Sequence, residues 1–340
     1  MATTDLVRLG VVGTGAIARR AHLAAVKRSG AAEVAAVADV ERQRAEAVAQ
    51  EFGVPAAYGS LEEMLEARPE IEAVVVCTPN HLHARQALLA LEAGKHVLVE
   101  KPMALTAEDA DAMVAAARSS RRVLMVGFTH RFYAFNQEVH RLVREGAIGR
   151  ILSFRVRFAH RGPYVAWPAE SDWFLRADRA GGGALLDMGI HAVDLVRWLS
   201  GSEVGDVSAV LATVEPGGEV DRVAHLALRL QDGAIGTIEV GWSTHEGVMG
   251  YELYGTDGSI VVDYRTPVRL FVPGAAWQGL TGWLQPGLQA GDPFAEEHRY
   301  FARCVREGLT PEPDGVAGRE ALKVVLAAYA SDRTGKRVAV

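Results

Sequence analysis

The sequence predicts an α/β domain built on a doubly wound parallel sheet, followed by an α+β domain with an antiparallel, largely meandering sheet. Three observations predict it. Up to Val126, short apolar runs alternate with segments of helical period, the signature of repeated strand–helix units. Beyond Gly127 the runs become β-rich and are separated by turn sequences such as Asp232-Gly233 and Asp257-Gly258, a strong short-range hairpin signal. The chain has 340 residues, more than one core ordinarily serves, so two domains are expected.

Residues 7–12 form an apolar run suited to a buried parallel strand, and it leads directly into Gly13-Thr14-Gly15-Ala16-Ile17-Ala18. This turn fits the G-x-G-x-x-G/A fingerprint of a dinucleotide-binding Rossmann unit. A helix over 16–28 and a strand over 34–38 follow, and Asp39 ends that strand where the fingerprint has an acid. Gly13 allows the tight turn, Gly15 lets backbone approach a pyrophosphate, and Ala18 permits close packing of helix on strand. The helix N-terminus offers free N–H groups to phosphate. Gly13, Gly15, Ala16, Ile17 and Asp39 are therefore candidate cofactor contacts. Asp39 suits the two adenosine ribose hydroxyls and repels a 2′-phosphate, which favours NAD over NADP. NADP stays possible because Arg42 and Arg44 lie close enough to receive that phosphate.

The alternation continues with helices over 42–52, stopped by Gly53, and over 61–67. A strand over 73–77 ends in Thr78-Pro79-Asn80, and a helix over 81–92 is closed by Gly94. A strand over 96–99 runs into Glu100-Lys101-Pro102. The helix over 106–119 has Thr106 as N-cap with Asp109 three residues on, and a strand over 123–126 ends the series. In the second half, a helix over 136–145 precedes a strand over 151–159. Further β-rich runs cover 207–214, 223–230, 234–242, 251–254, 259–262 and 268–272, with Pro216-Gly217-Gly218 among the separators. Two helices, 293–306 and 318–331, close the chain.

Composition narrows the function classes. The chain is 49% hydrophobic and 23% charged, an ordinary globular balance. A net charge of −6 with no basic block argues against nucleic acid or an anionic membrane as partner. No apolar run approaches the roughly 20 residues of a membrane span, and the polar start from Met1 to Asp5 is unlike a secretion signal. Cys77 and Cys304 lie too far apart to suggest a disulfide framework or a zinc motif, so a cytoplasmic protein with reduced thiols is expected. No His/Cys/Asp cluster suggests a metal.

Two stretches carry chemistry. Lys101 stands at the carboxyl end of a parallel strand, where such sheets bind ligands, although a surface lysine would fit the tripeptide equally. Gly181-Gly182-Gly183 leads into a helix bearing Asp187 and His191, four residues apart on one face. A carboxylate beside an imidazole is a general-base arrangement; a helix cap and a core histidine are the plain alternatives. Asp194, one turn on, reads as structural.

Taken together, these motifs resemble the Gfo/Idh/MocA family, which includes glucose–fructose oxidoreductase and inositol dehydrogenase. The resemblance spans nearly the whole chain. It rests on the turn from Gly13 to Ala18, on Thr78-Pro79-Asn80-x-x-His83, on Gly94 to Pro102 and on Gly181 to Asp194. It implies a Rossmann domain over 1–127, and a substrate-binding and oligomerisation domain over 128–340 with a large, mostly antiparallel open sheet. The active site would lie between them. It implies that Lys101, Asp187 and His191 match the family's catalytic residues, and that Thr78, Asn80, His83 and Glu100, with Lys101, lie along the nicotinamide side of the cofactor. Arg131 falls where the family commonly has an arginine near the substrate.

The resemblance then implies an NAD(P)-dependent dehydrogenase that oxidises a secondary hydroxyl of a cyclic polyol, sugar or sugar derivative. His191 would be the base, oriented by Asp187, and Lys101 would steady the alkoxide. Tyr133, Trp167, Trp173, Phe174 and Arg176, with Arg131, are candidate walls of the substrate pocket, Arg131, Tyr133 and Trp173 foremost. A homodimer or homotetramer through the C-terminal sheet is implied. Two alternatives are an NAD-dependent glycoside hydrolase or lyase that oxidises only transiently, and a non-catalytic nucleotide-binding sensor.

Overall fold

A computed structural model describes residues 6–166, 171–213, 218–287 and 291–340. Its first sheet contains β1 (Val7–Val12), β2 (Ala32–Ala38), β3 (Ala57–Tyr58), β4 (Ala73–Val76), β5 (His96–Val99) and β6 (Leu124–Val126). All five pairings are parallel, in the order β3-β2-β1-β4-β5-β6. The order reverses direction between β1 and β4, the point at which an open α/β sheet binds its ligand beyond the strand ends. The strands are buried on both faces because Val, Ala and Leu fill them almost without interruption.

Local signals fix the helices around this sheet. Ser60 accepts from the amide of Glu63, and Thr106 accepts from that of Asp109, each at 3.1 Å. The helices Arg42–Phe52 and Leu61–Ala67 have the expected limits. The helix after the glycine turn instead widens over Ala18–His22 before resuming as Leu23–Ser29. This π-turn places His22 in the interior.

The second sheet contains β7 (Ile151–Ala159), β8 (Val204–Ala212), β9 (Val223–Leu230), β10 (Ile235–Gly241), β11 (Val248–Gly255), β12 (Ser259–Asp263), β13 (Thr266–Trp277), β14 (Leu280–Leu284) and β15 (Val338–Ala339). Its order is β14-β13-β12-β11-β7-β10-β9-β8-β15. Two meanders are present, but β7 lies between them and pairs parallel with β10. The expected meander is corrected at that point, because the chain leaves β7 for the helical stretch before β8 and enters the rest of the sheet from both sides. The two-residue β3 and β15 are too short to show a period of two, and in β14 Gly282 interrupts the apolar pattern, so all three escape a sequence reading. Val214, Pro216 and Gly217 lie outside the described residues.

The helix Ile190–Ser200 is buried along ten of its eleven residues against the inner face of this sheet. The helix Gly315–Thr334 packs on the helix Ala107–Ser120, on β6 and on β8, so it joins the two sheets. The helix Pro293–Glu307 buries Phe301, Ala302 and Cys304 in the same core as Val7, Leu9, Val11 and Val37.

Candidate active site

A cavity of about 800 Å³ runs from the carboxyl ends of β1, β2 and β4 to the inner edge of the second sheet. At its first end, Gly13 has φ of 86° and donates its amide to the Ala38 carbonyl at 2.8 Å. A Cβ on Gly13 would sit 2.7 Å from backbone atoms of Cys77 and Thr78, whereas one on Gly15 would meet nothing within 4 Å. Gly15, Ala16 and Ile17 line the cavity, and Ala18 is fully buried beneath them.

Asp39 is buried and its carboxylate is well supplied with donors. It accepts from the Thr14 amide and hydroxyl at 2.8 and 2.9 Å, from the Glu41 amide at 2.9 Å, and from Arg44 at 2.6 and 3.1 Å. Burial alone would raise its pKa, but Arg44 and the Thr14 and Glu41 donors outweigh it, so the carboxyl is held below its ordinary value. Arg44 thus lies on Asp39, while Arg42 points to Glu46 and Glu63.

At the middle of the cavity, Thr78 donates to Gln86 at 2.6 Å and Asn80 donates to the Ala180 carbonyl at 2.8 Å. The His83 ring bridges the carbonyls of Thr78 and Pro102, 2.7 Å from each, and so ties two loops together. Glu100 accepts from His22 at 2.8 Å and from the Lys101 amide at 3.1 Å. His22 in turn sits 3.0 Å from His298. Burial opposes a charge on His22, but the neighbouring Cys77 sulfur and Glu100 carboxylate raise its pKa well above the ordinary histidine range.

At the far end, Lys101 Nζ donates to Asp187 Oδ1 at 2.6 Å and to the Asp187 carbonyl at 2.9 Å. Asp187 Oδ2 accepts from Trp242 Nε1 at 3.0 Å and lies 3.8 Å from His160 Nε2. Burial would raise the Asp187 pKa, but Lys101, His160 and the indole donor together lower it. The expected Asp187–His191 pair does not form. Asp187 belongs to a wide turn, Leu185–Gly189, and both of its oxygens are engaged across the cavity by groups from other elements.

His191 packs instead on His130, with ring centroids 4.4 Å apart and tilted by 37°, and edge-on to Phe128 at 6.0 Å. Its Nδ1 is sealed in without a partner among the described residues, which leaves Nε2 as the nitrogen towards the cavity. Burial first, then the neighbouring His130 and Lys101, pull its pKa well below 6.5. At neutral pH it is an uncharged ring. Lys101, Asp187 and His191 therefore surround one space that holds a cation, an anion and a neutral base.

The profile described as "Oxidoreductase family, NAD-binding Rossmann fold" matches residues 7–128, and that of the "GFO/IDH/MocA C-terminal domain" matches residues 136–261. The chain belongs to the Gfo/Idh/MocA family. A levoglucosan dehydrogenase of Pseudarthrobacter phenanthrenivorans is 34% identical over 83% of each chain. A myo-inositol 2-dehydrogenase of Thermotoga maritima is 30% identical over 96% of each. Among solved structures, levoglucosan dehydrogenase in complex with NADH and levoglucosan superposes with a TM-score of 0.88 at 30% identity, covering 99% of this chain and 100% of the other. This Gfo/Idh/MocA protein is accordingly an NAD-binding oxidoreductase with a six-stranded parallel and a nine-stranded mostly antiparallel sheet.

Of the wall residues expected in this family member, Tyr133, Trp173 and Phe174 line the cavity, the last two stacked at 3.8 Å. Arg176 is exposed, lies near Glu219 and is not part of the lining. Trp167 lies outside the described residues. Arg131 requires correction as a substrate contact. It is 4% exposed and forms a two-pronged ion pair with Asp194 at 2.6 and 2.8 Å, with its guanidinium over Trp198. On the tight turn Thr129–Phe132, His130 faces the cavity, while Arg131 reaches to the helix Ile190–Ser200.

His130, His160 and Trp242 are the site residues that sequence reasoning missed. Burial and Lys101 lower the His130 pKa to about 3, and burial lowers that of His160, so both rings are neutral. His160 and Trp242 follow β7 and β10, whose parallel pairing of Ala159 with Gly241 brings both to one sheet edge. Among the described residues, no group of three His, Cys, Asp or Glu side chains is placed to hold a metal.

Proposed function

We propose that this protein oxidises a secondary hydroxyl of a cyclic polyol, sugar or sugar derivative, with NAD as hydride acceptor. The observation that carries the reading is the Lys101–Asp187 contact of 2.6 Å beside a neutral, cavity-facing His191, in a space continuous with Gly15 and Asp39. The named activities of the relatives, on levoglucosan and myo-inositol, support the substrate class.

The residues present fit the cofactor. The open space over Gly15 is where a side chain would obstruct a pyrophosphate, and Asp39 is positioned for ribose hydroxyls once Arg44 yields part of its contact. Thr78, Asn80, Glu100 and Lys101 line the route from there to the reacting end. When bound, NAD would supply the acceptor for the hydride of the carbinol carbon. His191 Nε2 takes the hydroxyl proton, which its depressed pKa and uncharged state allow at neutral pH. Lys101 Nζ, held at one place by Asp187, donates to the oxygen as negative charge grows there. Asp187 positions Lys101 rather than His191.

The outer face of the second sheet bears exposed Val210, Ile235, Tyr254 and Trp283. Tyr254 and Ile235 lie on either side of Ser153 in one cross-strand row, and these exposed apolar side chains support a homo-oligomer formed through this sheet. Free, buried Cys77 and Cys304 support a cytoplasmic location.

The test is nicotinamide absorbance with NAD or NADP over a panel of inositols, aldoses, anhydrosugars and glycosides. The expected result is reduction with one group of substrates, lost in His191→Ala while NADH binding persists. Glycoside cleavage without net reduction would replace this reading with a transient-redox hydrolase. Tight NAD binding with no turnover anywhere in the panel would leave a sensor in its place.

A further inference from the structure

His130 was not distinguished by any sequence motif of the site, yet its protonation is determined by a chain of buried groups behind it. Asn136 is fully buried, and its amide tip lies 2.7 Å from the His130 carbonyl oxygen. That neighbour is an acceptor, so the near atom is the amide nitrogen and the other is the oxygen. The oxygen accepts from the Tyr251 hydroxyl at 2.7 Å. The second amide hydrogen goes to the Tyr264 hydroxyl oxygen at 3.0 Å. Tyr264 therefore uses an oxygen lone pair on Asn136 and has its own hydrogen to place. His130 Nδ1, 2.7 Å away, is the one acceptor bonded to it among the described residues. A proton on Nδ1 would leave the tyrosine hydrogen unsatisfied in the interior, which is unfavourable for a buried donor.

The proton of His130 is thus on Nε2. Among the described residues that atom has no hydrogen-bond partner, it is not sealed off as His191 Nδ1 is, and the ring lines the cavity 4.4 Å from His191. The ring itself is 9% exposed and clamped among Phe158, Tyr133 and Tyr264.

We propose that His130 is a specificity-determining residue whose Nε2–H donates to a substrate hydroxyl oxygen adjacent to the carbinol that His191 deprotonates, with Tyr264 as its positioning residue. The proposal rests on the functional reading above and narrows its substrate to a vicinal diol. An uncharged donor of fixed direction beside an acceptor of protons distinguishes such a pair of oxygens from a lone alcohol.

The experiment follows the His130 ring nitrogens by NMR in histidine-labelled, NADH-loaded protein, assigned through His130→Gln. The expected spectrum shows Nε2 protonated and Nδ1 accepting between pH 5 and 8, and Tyr264→Phe mixes the tautomers. Added myo-inositol, levoglucosan or another diol of the panel shifts the Nε2 resonance. In turnover assays, His130→Leu raises KM at least about tenfold with NADH affinity unchanged, and His130→Gln, which keeps a donor, recovers much of the loss. A proton on Nδ1, or an Nε2 resonance that no polyol moves, overturns the proposal, as does an unchanged KM in His130→Leu. A polyol that shifts Nε2 without reducing NAD upholds the contact and overturns the dehydrogenase reading instead.

Discussion

The two fingerprint glycines do different work, and alanine substitution separates them. On Gly13, a Cβ would lie 2.7 Å from the Cys77 carbonyl carbon and the Thr78 nitrogen, and 2.8 Å from the Cys77 oxygen. All three are backbone atoms of the adjoining loop, so no side chain can rotate away. Overpacking of this kind costs about 1–3 kcal/mol. The φ of 86° adds roughly 1–2 kcal/mol for any residue bearing a Cβ. The sum is about 2–5 kcal/mol. With unfolding entropy near 2 cal/mol/K per residue, a chain of 340 residues shifts by roughly 1.5 °C per kcal/mol, so Gly13→Ala lowers Tm by about 3–7 °C. Gly15→Ala meets nothing within 4 Å and leaves Tm of the cofactor-free protein unchanged or slightly higher. Its methyl group instead occupies the approach to the pyrophosphate, and NADH affinity falls about 10- to 100-fold, roughly 1.4–2.8 kcal/mol. Differential scanning fluorimetry without cofactor and NADH fluorescence titration measure the two quantities. Equal losses of Tm in both variants, or wild-type NADH affinity in Gly15→Ala, would refute this division of labour.

Four further outcomes are expected. With His191 neutral and its pKa well below 6.5, kcat/KM for oxidation is limited by this group only on the acid side of pH 6.5 and not above it; an acid limb centred above pH 7 in the pH–rate profile would assign the base elsewhere. Asp39→Ala weakens NAD more than NADP, because it removes the ribose acceptor and releases Arg44 towards a phosphate, and equal effects in paired titrations would remove Asp39 from that site. Arg131→Leu leaves Asp194 buried and unpaired, which costs about 3–5 kcal/mol in chemical denaturation, whereas a raised KM at wild-type stability would return Arg131 to the substrate pocket. Burial lifts the Glu297 pKa to about 8. The folded protein then keeps a proton that the unfolded chain loses above about pH 4.5, so stability falls as pH rises from there to 8. Glu297→Gln should flatten that decline, as measured by denaturation at pH 5.5 and 8, and an unaltered slope would exclude Glu297 as its source.

The sequence by itself determined the local features of this protein. Apart from β3 and the widened turn at Ala18–His22, apolar runs and the Thr106 cap set the strands and helices of the first sheet to within a few residues, because period, capping and turn chemistry act over only a few positions. The Gly13–Ala18 turn, Asp39, Lys101, Asp187 and His191 were legible for the same reason: each lies in a short motif at a strand end or helix start. What joins Lys101 to Asp187, 86 positions apart, is tertiary. The tertiary structure also decided which neighbours in sequence face the cavity. His130 faces it and Arg131 does not, since one residue on a tight turn reverses direction and the buried Asp194 captures the guanidinium. His160 and Trp242 became site residues because β7 and β10 pair in parallel across a long connection, and hydrophobic period carries no information about strand partners. The same holds for the Tyr251–Asn136–Tyr264–His130 chain, whose members come from three separate stretches and owe their order to buried donors and acceptors that must each find a partner.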